Sequence, residues 1–323
     1  MMNWREYLKK AGGIGLIRQY LRTGTLFTAV NQFTVIGRDR KALEILRLAV
    51  EHRLNVRLRK KYNRNAAQLK ESIDSSYHKE SAPVKKVWLC WWQGMDNAPD
   101  LVKKCYQSIK AHLTDWEIVI VTRDNYFQYV SFPEYIIRKW EIGIISNTHM
   151  SDLLRLELLI RHGGLWLDST ILCTSGNIPE SIILSDLFFY QCLKPGADGH
   201  TILCSSWLIY SRPGNHILQL TQGLLYNYWK KKDTLDDYFL FHYFLTIACE
   251  FYPEEYARIP QFDNAGPHIL LLNIFNGFDR FYWSDLCKIT CFHKLSYKLD
   301  PELKRNSTGT YYNYIMGDNH EIS

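Results

Sequence analysis

Alternating blocks of apolar and polar residues predict a regular succession of strands and helices between residues 86 and 170. Apolar runs at 87–92 and 116–122 have the length and composition of buried strands. Helices are predicted at 99–112 and 133–141, where apolar and polar positions mix. Strands alternating with helices in this order favour an α/β fold with a mostly parallel central sheet.

The stretch 151–170 continues this pattern with a helix, a glycine turn and a short strand that leads to a carboxylate. Ser151 is a predicted N-cap, and the leucines that follow it are too numerous for one narrow stripe, which indicates a helix buried on most sides. Gly163 and Gly164 end that helix, since glycine reaches positive φ without strain. A short strand then leads to Asp168. Ligands bind at the carboxyl ends of strands in such sheets, so this edge is the predicted site.

The charges of this stretch allow two interpretations. Asp152 and Arg155 are three residues apart and share one helix face, where they form either a structural ion pair or part of a site for a charged ligand. Asp168 either caps its strand or accepts hydrogen bonds from a ligand. Trp92 either stacks on a planar ligand or packs in the core. Spacing alone does not choose between these roles.

A second acidic pair, Asp236 and Asp237, precedes a predicted helix at 235–251. The pair is a candidate for facing an acceptor or serving as a catalytic base. The alternative is a pair stabilised by the dipole of the helix that follows. Further strands are predicted at 187–190 and 206–210, further helices at 213–229 and 268–275, and a polar, mobile tail from residue 300.

The positive charge of the chain is concentrated at one end. Residues 1–70 contain 16 Lys and Arg against 4 Asp and Glu, although the net charge of the whole chain is only +6. Basic helices rich in aliphatic and aromatic residues are typical of proteins that lie on an anionic membrane surface, and also of helices packed on their own domain. No nucleic-acid-binding signature is present, and no apolar run is long enough for a transmembrane helix. The eight cysteines contain no Cys-x-x-Cys pair, which favours a reducing compartment.

The motif Gly-Gly-x-Trp-x-Asp at 163–168, preceded by Ser-Asp-x-x-Arg at 151–155, resembles the donor-binding core of glycosyltransferases with an Asp-x-Asp sugar-binding motif. The likeness is greatest to the bacterial capsular polysaccharide synthesis branch. It runs from residue 86 to residue 298, includes the segments 87–94, 264–267 and 293–298, and leaves the basic N-terminal region outside.

The resemblance implies a single GT-A-like domain at 81–300, preceded by a basic helical region and linker at 1–80 and followed by a polar tail at 301–323. It implies transfer of a sugar from a nucleotide-sugar, with retention, to an oligosaccharide or lipid-linked acceptor of a growing capsular or O-antigen type polysaccharide. The enzyme would be cytoplasmic and peripheral on the inner face of the cell membrane, which it would contact through residues 1–70. A catalytically inactive scaffold for polysaccharide assembly is the alternative.

The resemblance also assigns residues. Catalysis would involve Asp168, with Asp236 or Asp237 as a base. The nucleotide-sugar would be bound by Trp92, Gln93, Asp152, Arg155, Gly163, Gly164, Asp168 and Lys294. Thr170 occupies the place of the second Asp of the motif, and a hydroxyl is a poor replacement for a carboxylate on Mn²⁺ or Mg²⁺. Three alternatives follow for the ion: it is held by Asp168 with His293 and diphosphate oxygens, it is bound weakly, or it is absent. Lys294 would then share the charge of the diphosphate.

Overall fold

A computed structural model describes residues 13–37, 39–75, 82–193 and 203–317. Its central sheet has five strands in the order β2–β1–β3–β6–β5, and a separate antiparallel pair is formed by β4 and β7. The strands are β1 (Lys86–Cys90), β2 (Glu117–Val121), β3 (Gly164–Leu167), β4 (Ile171–Cys173), β5 (Leu187–Gln191), β6 (Cys204–Ser211) and β7 (Phe292–Lys294).

The central sheet is mixed but mostly parallel, as predicted. Strand β1 is parallel to both β2 and β3, whereas β6 is antiparallel to β3 and to β5, so four strands share one direction. Neighbouring residues of β1 belong to cores on opposite faces: Trp88 packs on one side, Val87 and Leu89 on the other. Helices cover both faces, which explains why these strands appear as continuous apolar runs in the sequence.

Helices occupy most of the remaining described chain. They are α1 (Gly13–Thr23), α2 (Leu26–Ile36), α3 (Arg40–Asp74), α4 (Asp100–His112), α5 (Glu134–Glu141), α6 (Asn147–His162), α7 (Glu180–Ile183), α8 (His216–Lys231), α9 (Leu240–Phe251), α10 (Pro253–Ala257), α11 (Ala265–Leu272), α12 (Arg280–Ile289), α13 (Pro301–Arg305) and α14 (Tyr311–Met316). None of those within the described ranges combines the length and apolarity needed to cross a bilayer.

The N-terminal region is helical, as predicted, and it packs on the domain. The 35-residue helix α3 begins at Asp39, whose carboxylate accepts a hydrogen bond from the Ala42 N–H at 2.8 Å. Leu54, Leu58 and Tyr62 along α3 are buried in the same core as the sheet residue Trp88. The long helix is therefore part of the folded domain.

The end of the chain differs from the expected mobile tail as far as residue 317. Tyr311 and Ile315 of α14 are buried at 2% and 4% exposure. They share a core with Leu101 of α4 and Leu172 of β4. The sequence prediction missed this helix because it is only six residues long and lies in a tail that is otherwise polar.

Candidate functional site

Helix α6 carries the first charged residues of the site and is longer than predicted. Its N-cap is Ser146, whose hydroxyl accepts a hydrogen bond from the His149 N–H at 3.2 Å. Ser151, the predicted N-cap, lies one turn inside the helix, and its hydroxyl donates to the Asn147 carbonyl at 2.9 Å. The helix ends at Gly163, which has a φ of 67°. Its leucines are buried on most sides, as predicted.

The two glycines serve the packing of the sheet and do not line the site. A Cβ on Gly164 would lie 2.4 Å from the Lys86 carbonyl oxygen, and one on Gly163 would lie 2.7 Å from Pro213 Cδ. Both glycines stand at the amino end of β3, roughly 13 Å along the strand from Asp168. The structure thus gives them a close contact with neighbouring protein backbone and does not place them among the residues that line the cleft described below.

Arg155 links the two carboxylates that the sequence singled out. It donates to Asp152 Oδ1 at 2.9 Å and to Asp168 Oδ1 at 3.2 Å. Its guanidinium lies over the rings of Trp166 and Phe241, and the side chain is only 4% exposed. Arg155 therefore positions the carboxylates, and direct contact with a large ligand would require it to move.

Asp152 is held ionised beneath the cleft. Burial alone would raise its pKa, but the charge of Arg155 and the imidazole of His149, whose Nδ1 is 3.3 Å from Oδ2, keep the pKa below its ordinary value. His242, near the same carboxylate, has its pKa lowered to about 4 by burial, so it is neutral at physiological pH.

Asp168 is the member of this chain of charges that reaches solvent. Its side chain is 31% exposed, and its Oδ1 also accepts a hydrogen bond from the indole N–H of Trp166 at 3.1 Å. The ammonium of Lys294 lies 3.6 Å from Asp168 Oδ2 and donates to the hydroxyl of Thr170 at 2.6 Å. We call Asp152, Arg155, Asp168 and Lys294 the cleft cluster.

The cleft cluster borders a cleft of about 620 Å³, a size suited to a ligand larger than a monosaccharide. Of the predicted nucleotide-sugar residues, the structure brings six to this cleft: Trp92, Gln93, Asp152, Arg155, Asp168 and Lys294. Trp92 is 7% exposed, and its indole N–H donates to the Asn147 carbonyl, so most of its ring is a packing surface.

Several residues of the cleft wall were missed by the sequence prediction. These are Ser206, Tyr238, His242, Tyr297 and Lys298. Tyr297 and Lys298 belong to the segment 293–298, whose resemblance was noted, and that signal could have identified them. The others lack a local signal, because they come to the cleft from β6, α9 and the segment before α9.

Asp236 and Asp237 do not line the cleft; they lie where the N-terminal helices meet the domain. Asp236 accepts a hydrogen bond from Arg22 Nε at 3.1 Å, and its side chain is 8% exposed. Asp237 accepts from Gln19 at 3.2 Å and from the Phe239 N–H at 2.8 Å, and burial raises its pKa. Burial, with the nearby charge of Asp237, also raises the pKa of Glu51 to about 7. We call Arg22, Glu51, Asp236 and Asp237 the junction cluster.

His293 is not brought together with Asp168 as a metal pair. The two residues His293 and Lys294 are neighbours on β7, so their side chains point to opposite faces. Lys294 lines the cleft, whereas His293 is fully buried beside Thr174, with 3.2 Å between Nε2 and Oγ1. Burial lowers the pKa of His293 to about 4. Among the residues described, no three His, Cys, Asp or Glu side chains are grouped so as to hold a metal ion.

Two known glycosyltransferases show similarity to the chain. "O-glycosyltransferase braB" of Annulohypoxylon truncatum is 32% identical over 94 residues, which are 26% of this chain and 22% of that protein. The chain thus matches only about a fifth of the length of this curated relative. The solved structure "PaToxG Glycosyltransferase" covers 81% of this chain and 97% of its own at 14% identity. Its TM-score of 0.37 is too low for any inference about fold or activity.

A family match covers most of the chain. Residues 39–315 match the model of the family described as "Capsular polysaccharide synthesis protein". The match begins within the basic N-terminal region and continues beyond residue 298, so the prediction that this whole region lies outside the family is wrong from residue 39 onward. With most of its length matched, the chain belongs to the capsular polysaccharide synthesis protein family.

Proposed function

We propose that the protein is a glycosyltransferase that moves a sugar from a nucleotide-sugar to a growing capsular or O-antigen type polysaccharide in bacteria. One observation carries the proposal: a partly exposed carboxylate, Asp168, and an ammonium, Lys294, lie side by side on a cleft of about 620 Å³. A carboxylate accepts hydrogen bonds from sugar hydroxyls, and an ammonium binds phosphate oxygens. Family membership and the position of the cleft at the carboxyl end of β3 agree with a GT-A-like enzyme.

The proposed transfer breaks the bond between the anomeric carbon and a diphosphate oxygen, and the electron pair leaves with the nucleoside diphosphate. An acceptor hydroxyl oxygen forms the new bond to the anomeric carbon, and its proton passes to the departing diphosphate oxygen. Asp168 would orient the sugar through its hydroxyls, and Arg155 would keep Asp168 in place. Lys294 would stabilise the negative charge that develops on the leaving group.

Retention of the anomeric configuration is part of the proposal. Inversion needs a base on the acceptor side, and the earlier candidates, Asp236 and Asp237, lie outside the cleft wall. The acidic residues of the wall are Asp152 and Asp168, and both are bonded to Arg155. Because each carboxylate already has an oxygen that accepts a hydrogen bond from Arg155, transfer in which the diphosphate itself takes the proton is favoured.

The enzyme would receive its acceptor at an anionic membrane surface, on the cytoplasmic face. Helix α2 contains no charged residue, yet Phe27 is 84% exposed and Val35 73%. The neighbouring helices α1 and α3 carry exposed basic residues, Arg18 and Lys41 among them. Apolar side chains rimmed by basic ones are typical of helices that lie at an anionic lipid interface.

Flotation with vesicles tests this membrane contact. We expect the full chain to float with vesicles containing phosphatidylglycerol and to bind several-fold less in the variant Phe27→Ser/Val35→Ser. Phe281→Ser is the matched control, because Phe281 is 82% exposed on α12 and should not affect binding. Equal flotation of all three proteins would rule out α2 as the contact.

The transferase proposal is tested with a panel of nucleotide-sugars. A donor present at 100 times its dissociation constant should raise the free energy of unfolding by about 2.7 kcal/mol, which thermal denaturation detects. The donor identified in this way should be hydrolysed or transferred by the wild-type protein, with the anomeric configuration of the product read by NMR. Binding without hydrolysis or transfer to any acceptor would favour the alternative, an inactive scaffold, and an inverted product would exclude the retaining step.

A further inference from the structure

The ammonium of Lys294 lies beside Thr170, the residue that stands where the sequence resemblance would place the second Asp of the motif. Lys294 Nζ is 2.6 Å from the hydroxyl of Thr170 and 3.6 Å from Asp168 Oδ2. Its position is fixed by the pairing of β7 with β4, in which Lys294 stands opposite Ile171, and by a hydrogen bond from the Leu295 N–H to the Thr170 carbonyl at 2.9 Å. The chain therefore builds a positive charge into the motif.

A divalent cation does not fit these groups. Mg²⁺ and Mn²⁺ prefer carboxylate and other oxygen ligands, and Mg²⁺ binds its ligands at about 2.1 Å. Such an ion on both Asp168 Oδ2 and Thr170 Oγ1 would lie within roughly 5 Å of the Lys294 ammonium, which repels it. The other oxygen of Asp168 already accepts from Arg155 and Trp166. One shared carboxylate and one neutral hydroxyl are a weak donor set for a divalent ion.

We infer that Lys294, together with Lys298 on the same cleft wall, binds the diphosphate of the donor directly and takes the place of a metal ion. This inference rests on the proposed function for the identity of the donor. Lys294 is 20% exposed, so the ammonium is reachable from the cleft while its stem is packed. An ammonium has three N–H donors; one is directed to the Thr170 hydroxyl and a second to the Leu295 carbonyl at 3.3 Å, which leaves the third for a phosphate oxygen. Lysine is a common phosphate ligand in proteins.

Binding of inorganic pyrophosphate to the full chain tests this site without requiring catalysis. Titration calorimetry in excess EDTA should show that the wild-type protein binds pyrophosphate and that Mn²⁺ does not improve its affinity. Lys294→Met should weaken binding at least tenfold, and Lys294→Arg, which keeps the charge, should retain most of it. Lys288→Met is the matched control, because Lys288 is 72% exposed on α12 and pairs with Asp285. Thermal denaturation checks that each variant is folded.

A complementary variant reverses the chemistry. Thr170→Asp/Lys294→Ala restores a second carboxylate and removes the ammonium, so its pyrophosphate binding should become dependent on Mn²⁺. A wild-type protein that binds pyrophosphate only with Mn²⁺, or a Lys294→Met variant with unchanged affinity in EDTA, would overturn the inference. Sugar transfer that stops completely in EDTA would overturn it while leaving the transferase proposal intact. If pyrophosphate binds through Lys294 without metal but no nucleotide-sugar supports transfer, the diphosphate-binding inference stands and the proposed transferase function is refuted.

Discussion

The cleft cluster and the junction cluster both combine carboxylates with an arginine, but only the cleft cluster borders the cleft. In the junction cluster, Asp236 is 8% exposed and its partners come from the protein itself. In the cleft cluster, Asp168 and Lys294 are 31% and 20% exposed beside a large cavity. The comparison shows that an acidic pair in the sequence does not identify a catalytic site. What identifies one is a charged group that the fold stabilises yet leaves accessible.

The largest expected effect is on catalysis by Asp168. We expect Asp168→Asn to lower the rate of sugar transfer by about 10²–10³-fold, because the neutral amide no longer balances Arg155 and Lys294 or accepts strong hydrogen bonds from the sugar. Asn keeps an acceptor for the indole N–H of Trp166, which Ala would leave unpaired, and Arg155 keeps its pairing with Asp152, so the free energy of unfolding should fall by less than when Arg155 itself is removed. Rates and chemical denaturation of the same preparation measure both quantities.

Asp236→Asn is the matched variant in the junction cluster and should show the opposite behaviour. Removing its charge leaves Arg22 and Lys232 without their carboxylate, so stability should fall while transfer continues at a near-normal rate. A loss of activity as large as that of Asp168→Asn would return Asp236 to the candidate catalytic residues.

The second prediction concerns Arg155, on which the cleft cluster depends. Arg155→Met keeps the length of the side chain but leaves Asp152 and Asp168 without their shared cation. Breaking a buried ion pair by removing one partner costs about 3–5 kcal/mol, and urea denaturation should show a loss of this size. A loss below about 1 kcal/mol would mean that solvent already screens the two carboxylates.

The sequence predicted the parts of the site that local spacing determines. Asp152 and Arg155 are one helical turn apart, and Asp168 ends a strand, so their proximity follows from the α6 and β3 patterns. It did not predict which of His293 and Lys294 faces the cleft, because that depends on the pairing of β7 with β4, more than 100 residues earlier in the chain.

The environment of Asp236 also could not be predicted from the residues near it in the sequence. Its partner Arg22 is 214 residues away in the chain, and no short motif encodes that contact. The glycines at 163–164 were assigned to nucleotide binding because a close backbone approach was expected there. The backbone does approach Gly164 closely, but the approaching group is the Lys86 carbonyl of the adjacent strand.

The third prediction uses the pH dependence of stability to test whether Glu51 of the junction cluster is shielded from solvent. The pKa of Glu51 is raised from 4.5 to about 7, by burial and then by Asp237, with Arg47 opposing. The unfolded chain loses this proton near pH 4.5 and the folded chain near pH 7, so stability falls as pH rises between these values. One pKa unit corresponds to about 1.4 kcal/mol. Glu51→Gln lacks this titrating group, so its free energy of unfolding relative to the wild type should rise by on the order of 2 kcal/mol from pH 5 to pH 8. A constant difference between the two proteins across this range would mean that Glu51 is open to solvent.

The smallest expected effect belongs to the ion pair that joins α1 to the domain. Arg22 is 35% exposed, and pairs of this kind contribute about 0–1 kcal/mol. A double-mutant cycle of Arg22→Ala and Asp236→Ala should therefore give a coupling energy below about 1 kcal/mol, measured by denaturation.

Transfer activity should remain in Arg22→Ala, because neither partner lines the cleft. Tyr238, two residues from Asp236, does line the cleft, so a change at Asp236 could reach the cleft through this residue. If Arg22→Ala lowered activity while stability held, the junction cluster would be positioning Tyr238, and the separation between the two clusters would be incomplete.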